Sequence, residues 1–73
     1  MDHSNIVKMA NDIGAFFKSE PDRDLAIQGV EQHIKNFWEP RMRKQIIQYL
    51  NQGGGDLMDI VAEAVRKLPV PNN

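Results

Sequence analysis

Apolar residues recur at helical spacing along almost the whole chain, and no long stretch alternates apolar with polar residues. This pattern predicts four helices and no strand. The first helix spans about residues 5–18, with Ser4 placed to act as its N-cap. Ile6, Met9, Ala10, Ile13, Phe16 and Phe17 fall on one arc roughly 120° wide, with Lys8, Asp12 and Ala15 opposite. Val7 and Gly14 share a separate flank, two turns apart. A glycine inside a helix costs about 1 kcal/mol relative to alanine, so either another backbone approaches closely at Gly14 or the glycine is merely tolerated.

Ser19-Glu20-Pro21-Asp22 reads as a turn that opens the second helix, residues 22–38, with Pro21 suited to its first turn. Ala26, Ile27, Val30, Ile34, Phe37 and Trp38 make its apolar face. Leu25 points away, and Gly29, Ala26 and part of His33 form a flank of low profile that could admit a neighbouring helix. Proline disfavours the α conformation in the residue before it, so Glu39 is expected to leave the helix and Pro40 to start the third, residues 40–51. Met42, Ile46, Tyr49 and Leu50 are its inner face and Arg41, Lys44 and Gln48 its outer face, with Arg43 and Ile47 on the boundary. Gly53-Gly54-Gly55 caps it as a flexible loop. The fourth helix is expected over residues 56–68, with Asp56 as N-cap and Asp59 near its positive end. It carries Leu57, Ile60, Val61, Ala64, Val65 and Leu68 on one face, and Arg66 and Lys67 complement the dipole at its end. Pro69-Val70-Pro71-Asn72-Asn73 reads as a disordered tail. The connections are short, so successive helices should be neighbours. The expected fold is all-α: one domain over residues 1–73, a small four-helix bundle or orthogonal helical array.

Size sharpens the picture. A 73-residue chain buries only about 60% of its unfolded surface, so its own stability is marginal. With no cysteine, neither a disulfide nor a zinc–thiolate site can staple it. Good helix packing or a partner subunit remains. The charge is nearly balanced, with 9 Lys and Arg against 10 Asp and Glu, which argues against a generic nucleic-acid binder. No apolar run approaches the roughly 20 residues that span a bilayer. Met1-Asp2-His3-Ser4 lacks the features of a signal peptide, so the expected location is the cytoplasm.

The residues offer little catalytic chemistry. Ser4 and Ser19 stand at helix ends, where capping accounts for them. His33 has no partner at zinc-ligand spacing on its face, and the glycine triplet lacks the Lys-Ser/Thr of a phosphate-binding loop. No catalytic, cofactor-binding or metal-ligating residue is expected. The most informative segment is Asn36-Phe37-Trp38-Glu39-Pro40-Arg41-Met42-Arg43-Lys44. It joins the only tryptophan to three cations across a helix break. Tryptophan and arginine are enriched at interface hot spots, and arginine pairs bidentately with carboxylates or stacks on aromatics. Partner contact and intramolecular packing are both open for these side chains.

Two runs carry a family resemblance. Val7-Lys8-Met9-Ala10-Asn11-Asp12-Ile13-Gly14-Ala15-Phe16-Phe17 resembles the opening of the delta-subunit family of NAD-dependent formate dehydrogenases. His33-Ile34-Lys35-Asn36-Phe37-Trp38-Glu39-Pro40-Arg41-Met42-Arg43 resembles that family's second hallmark, and the glycine turn and last helix sit where the family has theirs. The resemblance covers about residues 6–68. It implies a non-catalytic accessory subunit of a cytoplasmic complex that oxidises formate and passes electrons to NAD. The large catalytic subunit would carry the molybdenum or tungsten pterin and iron–sulfur clusters, and other subunits FMN, further clusters and the NAD site. This chain would carry none of these and would support assembly, cofactor maturation or stability. Docking is then expected on the large subunit through Phe37, Trp38, Pro40, Arg41 and Arg43, with the Val7/Gly14 flank as a second candidate surface. Phe37 and Trp38 could instead be core, leaving Arg41 and Arg43 to make the contact. The alternatives are a helical nucleic-acid-binding or regulatory module reading with its third helix, and a maturation chaperone absent from the finished enzyme.

Overall fold

The structure, a computed structural model, describes residues 4–71. Four helices follow in order: α1 (Ser4–Phe17), α2 (Arg23–Phe37), α3 (Pro40–Asn51) and α4 (Asp59–Arg66). There is no strand among the described residues, and the architecture is a small all-α bundle. The core gathers Ile6, Val7 and Ala10 of α1, Ile27, Val30 and Ile34 of α2, Trp38, Ile46 of α3, Val61, Ala64 and Val65 of α4, and Leu68. No charged or polar side chain is buried among the described residues.

Local chemistry sets most helix boundaries. Asp22 caps α2, its Oδ1 accepting from the Asp24 and Leu25 amides at 3.0 and 3.4 Å. Pro21 therefore lies one residue outside the cap, in the preceding bend, and not in the first turn as its type suggests. Trp38 and Glu39 are both extended, at ψ 140° and 153°, and Pro40 opens α3. Proline has no amide hydrogen to satisfy at that position, so its place there costs nothing. At the end of α3 the Gly53 amide donates to the Leu50 carbonyl and the Gly54 amide to that of Tyr49. Gly53 and Gly54 have φ of 128° and 57°, a left-handed conformation that favours glycine.

Three sequence expectations are corrected here. The first concerns α4, which starts at Asp59 with Met58 as its N-cap residue, not at Asp56. The Asn11 side chain on α1 accounts for the delay. Its Nδ2 donates to the Asp56 carbonyl at 2.8 Å, and its Oδ1 accepts from the Met58 amide at 3.0 Å. The Tyr49 hydroxyl accepts from the Asp56 amide at 3.2 Å. Residues 56–58 thus spend their backbone groups on α1 and α3 instead of a first helical turn.

The second correction concerns α1. Its buried residues are Ile6, Val7, Ala10 and Gly14, so the Val7/Gly14 flank is core and is not free to dock a partner. Met9 and Phe16, expected inside, are exposed, and Ile13 and Phe17 only partly covered. Gly14 is what turns the helix: a methyl group there would come within 2.5 Å of Val61 Cγ2 and 3.0 Å of Met58 Sδ. Its bare face lets α4 side chains, not another backbone, reach the α1 surface. Gly29 on α2 does the same for the Phe17 ring, which fills the space a side chain would take. The expected flank on α2 therefore receives α1.

The third correction concerns neighbours. α4 packs most extensively on α2, and α1 touches all three other helices, whereas α2 and α3 make only marginal contact although two residues join them. The extended Trp38-Glu39 pair carries the chain round a corner, and α4 in place of α3 is the principal neighbour of α2. After Arg66 the chain leaves the helix, with Leu68 buried and Pro71 partly covered. Residues 72–73 of the expected tail lie outside the described residues.

Candidate functional site

The corner between α2 and α3 divides the five residues singled out for partner contact. Trp38 is only 7% exposed and belongs to the core. Its amide closes α2 by donating to the Ile34 carbonyl at 3.0 Å. Arg43 is half-buried and committed to its own chain, Nη1 donating to the Trp38 carbonyl at 2.6 Å and more distantly to that of Lys35 at 3.5 Å. A cation satisfying the last carbonyls of a helix is favourable on both hydrogen-bonding and dipole grounds. Trp38 and Arg43 therefore build the corner. Phe37, Pro40 and Arg41 are exposed on it.

Phe37 was expected on the inner face of α2 beside Trp38, and instead it is 74% exposed. It is the last residue of its helix, and α3 turns away just beyond it, so no element covers its ring. It rests against the His33 imidazole, with centroids 4.8 Å apart and planes tilted by 40°. His33 is exposed as well, and its visible role is this ring contact.

His33 also joins Phe37 to a groove that sequence reasoning missed. Asp12, Ile13, Phe16, Phe17 and His33 line a cavity of about 450 Å³ between α1 and α2. Phe16 is 77% exposed and meets Phe17 edge to face, with centroids 5.1 Å apart. The result is a continuous apolar band, Ile13–Phe16–Phe17–His33–Phe37, across two helices. A signal for it was present in the sequence. Phe16 and Phe17 are adjacent, so their side chains leave the helix about 100° apart. Once Phe17 is directed at Gly29, Phe16 is turned aside.

A second, basic feature lies at the start of α3. Pro40, Arg41, Lys44 and Pro71 line a cavity of about 350 Å³. Among the described residues, no group of three or more His, Asp or Glu side chains is placed to hold a metal ion. Only two ion pairs join described residues, Lys8–Asp12 at 3.2 Å and Arg66–Glu63 at 2.9 Å. Both are exposed pairs within one helix, worth a few tenths of a kcal/mol (about 0.3–0.5) each.

The sequence matches the family model described as the NADH-dependent formate dehydrogenase delta subunit, FdsD, over residues 5–65. That span takes in α2 and α3 whole, α1 but for its first residue and α4 but for its last. Among curated proteins and among solved structures nothing matches the chain.

Proposed function

This chain belongs to the NADH-dependent formate dehydrogenase delta subunit family, and from that premise we propose that it is a non-catalytic accessory subunit. It docks on the large molybdenum- or tungsten-bearing subunit of a cytoplasmic formate dehydrogenase and supports that enzyme's assembly and stability. The observation that carries this reading is the uncovered aromatic band. A small domain that leaves Phe16 and Phe37 about three-quarters exposed, linked through Ile13 and His33 over a groove, presents surface suited to burial by another protein. Pro40 and Arg41 are exposed at the start of α3 and line a separate recess. Trp38 and Arg43 serve both surfaces indirectly, by fixing the corner from which Phe37 and Arg41 project.

On the same reading the pterin, iron–sulfur clusters, FMN and NAD reside on partner subunits. Cluster ligation rests on cysteine thiolates, and this sequence has none. No helix among the described residues is long and apolar enough to cross a membrane.

The test is co-expression with the other enzyme subunits, comparing wild type with Phe16→Ser/Phe37→Ser. An aromatic anchor at an interface centre is worth about 2 kcal/mol or more, roughly thirtyfold in affinity. Wild type should co-purify with the large subunit, while the folded double variant should be largely lost. Equal recovery of both would remove the band from the docking account.

A further inference from the structure

Arg43 is tied to the α2 carbonyls, but Arg41 and Lys44 make no ion pair or side-chain hydrogen bond with any described residue. They stand one turn apart on α3, and with Pro40 and Pro71 they line the cavity of about 350 Å³. Glu39, the adjacent carboxylate in sequence, pairs with neither of them. Among the described residues, two cations without a carboxylate partner thus line a recess together with two prolines. Low-dielectric walls focus the field of the charges that line a cleft.

We infer that this cleft receives a carboxylate side chain, aspartate or glutamate, from the partner subunit. The inference rests on the docking reading and names the chemistry of the segment bound. The cavity, about 350 Å³, has ample room for a carboxylate side chain. Arginine offers a planar fork that matches a carboxylate bidentately, and lysine a compact charge beside it. The proline rings supply flat apolar contact for the methylenes of the incoming residue. Phe16 and Phe37 then supply apolar contact, while Arg41 and Lys44 set register and accelerate encounter, as complementary charges do at an interface.

The experiment treats the purified complex with a carbodiimide, which condenses a carboxylate with a lysine amine only when the two are in contact. Mass spectrometry should find Lys44 joined to an acidic residue of the large subunit. Lys44→Arg should retain binding and lose that cross-link. Arg41→Gln/Lys44→Gln, with its fold checked by circular dichroism, should weaken binding about tenfold at low salt and flatten its salt dependence. If wild type fails to co-purify with the large subunit, the docking reading falls and the inference with it. If wild type binds and the double Gln variant binds equally well with the same salt dependence, only the cleft assignment falls. A cross-link from Lys44 to a second copy of this chain, or protection of Lys44 by nucleic acid, would also overturn it.

Discussion

Replacing Gly14 with alanine probes how α1 seats on α4. The added methyl group would stand 2.5 Å from Val61 Cγ2 and 3.0 Å from Met58 Sδ. Met58 is half-buried, and its unbranched side chain can turn aside. Val61 is fully buried, β-branched and held by its helix, so it cannot retreat without moving α4. Overpacking of this kind costs about 1–3 kcal/mol. Alanine returns up to about 1 kcal/mol of helix propensity. The net expectation is a loss of about 1 kcal/mol, or roughly 4–8 °C in Tm for a domain this small. Adding Val61→Ala in the same chain removes the methyl group that clashes. The double variant should therefore be more stable than the sum of the single changes by about 1 kcal/mol, a coupling typical of residues in contact. Urea unfolding followed by far-UV circular dichroism on all four proteins of the cycle measures this. A Gly14→Ala protein more stable than wild type, or a coupling near zero, would refute the close seating of Val61 against Gly14.

Other expectations follow from single contacts. Asn11→Ala should lower stability by about 1–2 kcal/mol, since two hydrogen bonds to the 56–58 backbone are lost. Asn11→Asp should fall between, keeping the acceptor for Met58 but facing the Asp56 carbonyl without a donor; chemical denaturation distinguishes the three proteins. Arg43→Gln should cost about 1–2 kcal/mol through loss of the bond to the Trp38 carbonyl, whereas Arg41→Gln should stay within about 0.5 kcal/mol of wild type. Phe16→Ser/Phe37→Ser should reduce binding of a hydrophobic fluorescent dye by the isolated chain while lowering its stability by under about 1 kcal/mol. A large loss of stability would place these rings in the core instead.

Helix existence and most helix ends were legible because they depend on local chemistry. Asp22, Pro40 and the glycine triplet act within a few residues of where they stand. The start of α4 was not legible, because its cause is Asn11, which reaches the Met58 amide from 47 residues away in sequence. Periodicity gave the correct inner face for α4, where Val61, Ala64 and Val65 are buried. It misled on α1, because a hydrophobicity count credits glycine with nothing. On a helix surface Gly14 is instead a gap that a neighbouring side chain can enter, and that gap turned Val7 inward and Phe16 outward.

The candidate site was half legible for a related reason. In the Asn36–Lys44 segment the helix break at Pro40, the outward place of Arg41 and the boundary place of Arg43 are legible from helical phasing. Which of its side chains would be consumed in building the corner depended on the α2–α3 turn. The extended Trp38 and Glu39 leave Phe37 uncovered and bring Arg43 onto the Trp38 carbonyl. The groove under Phe16 needed the crossing of α1 over Gly29, a tertiary fact.

The central claim, that this chain is a standing subunit of the enzyme which docks by its aromatic band, is tested most directly by purifying active formate dehydrogenase and quantifying the chain within it. The account predicts one copy for each large subunit in the wild-type enzyme, and its loss when Phe16 and Phe37 are both serine. Active enzyme that lacks the chain altogether, or that retains the double variant in full, would contradict it.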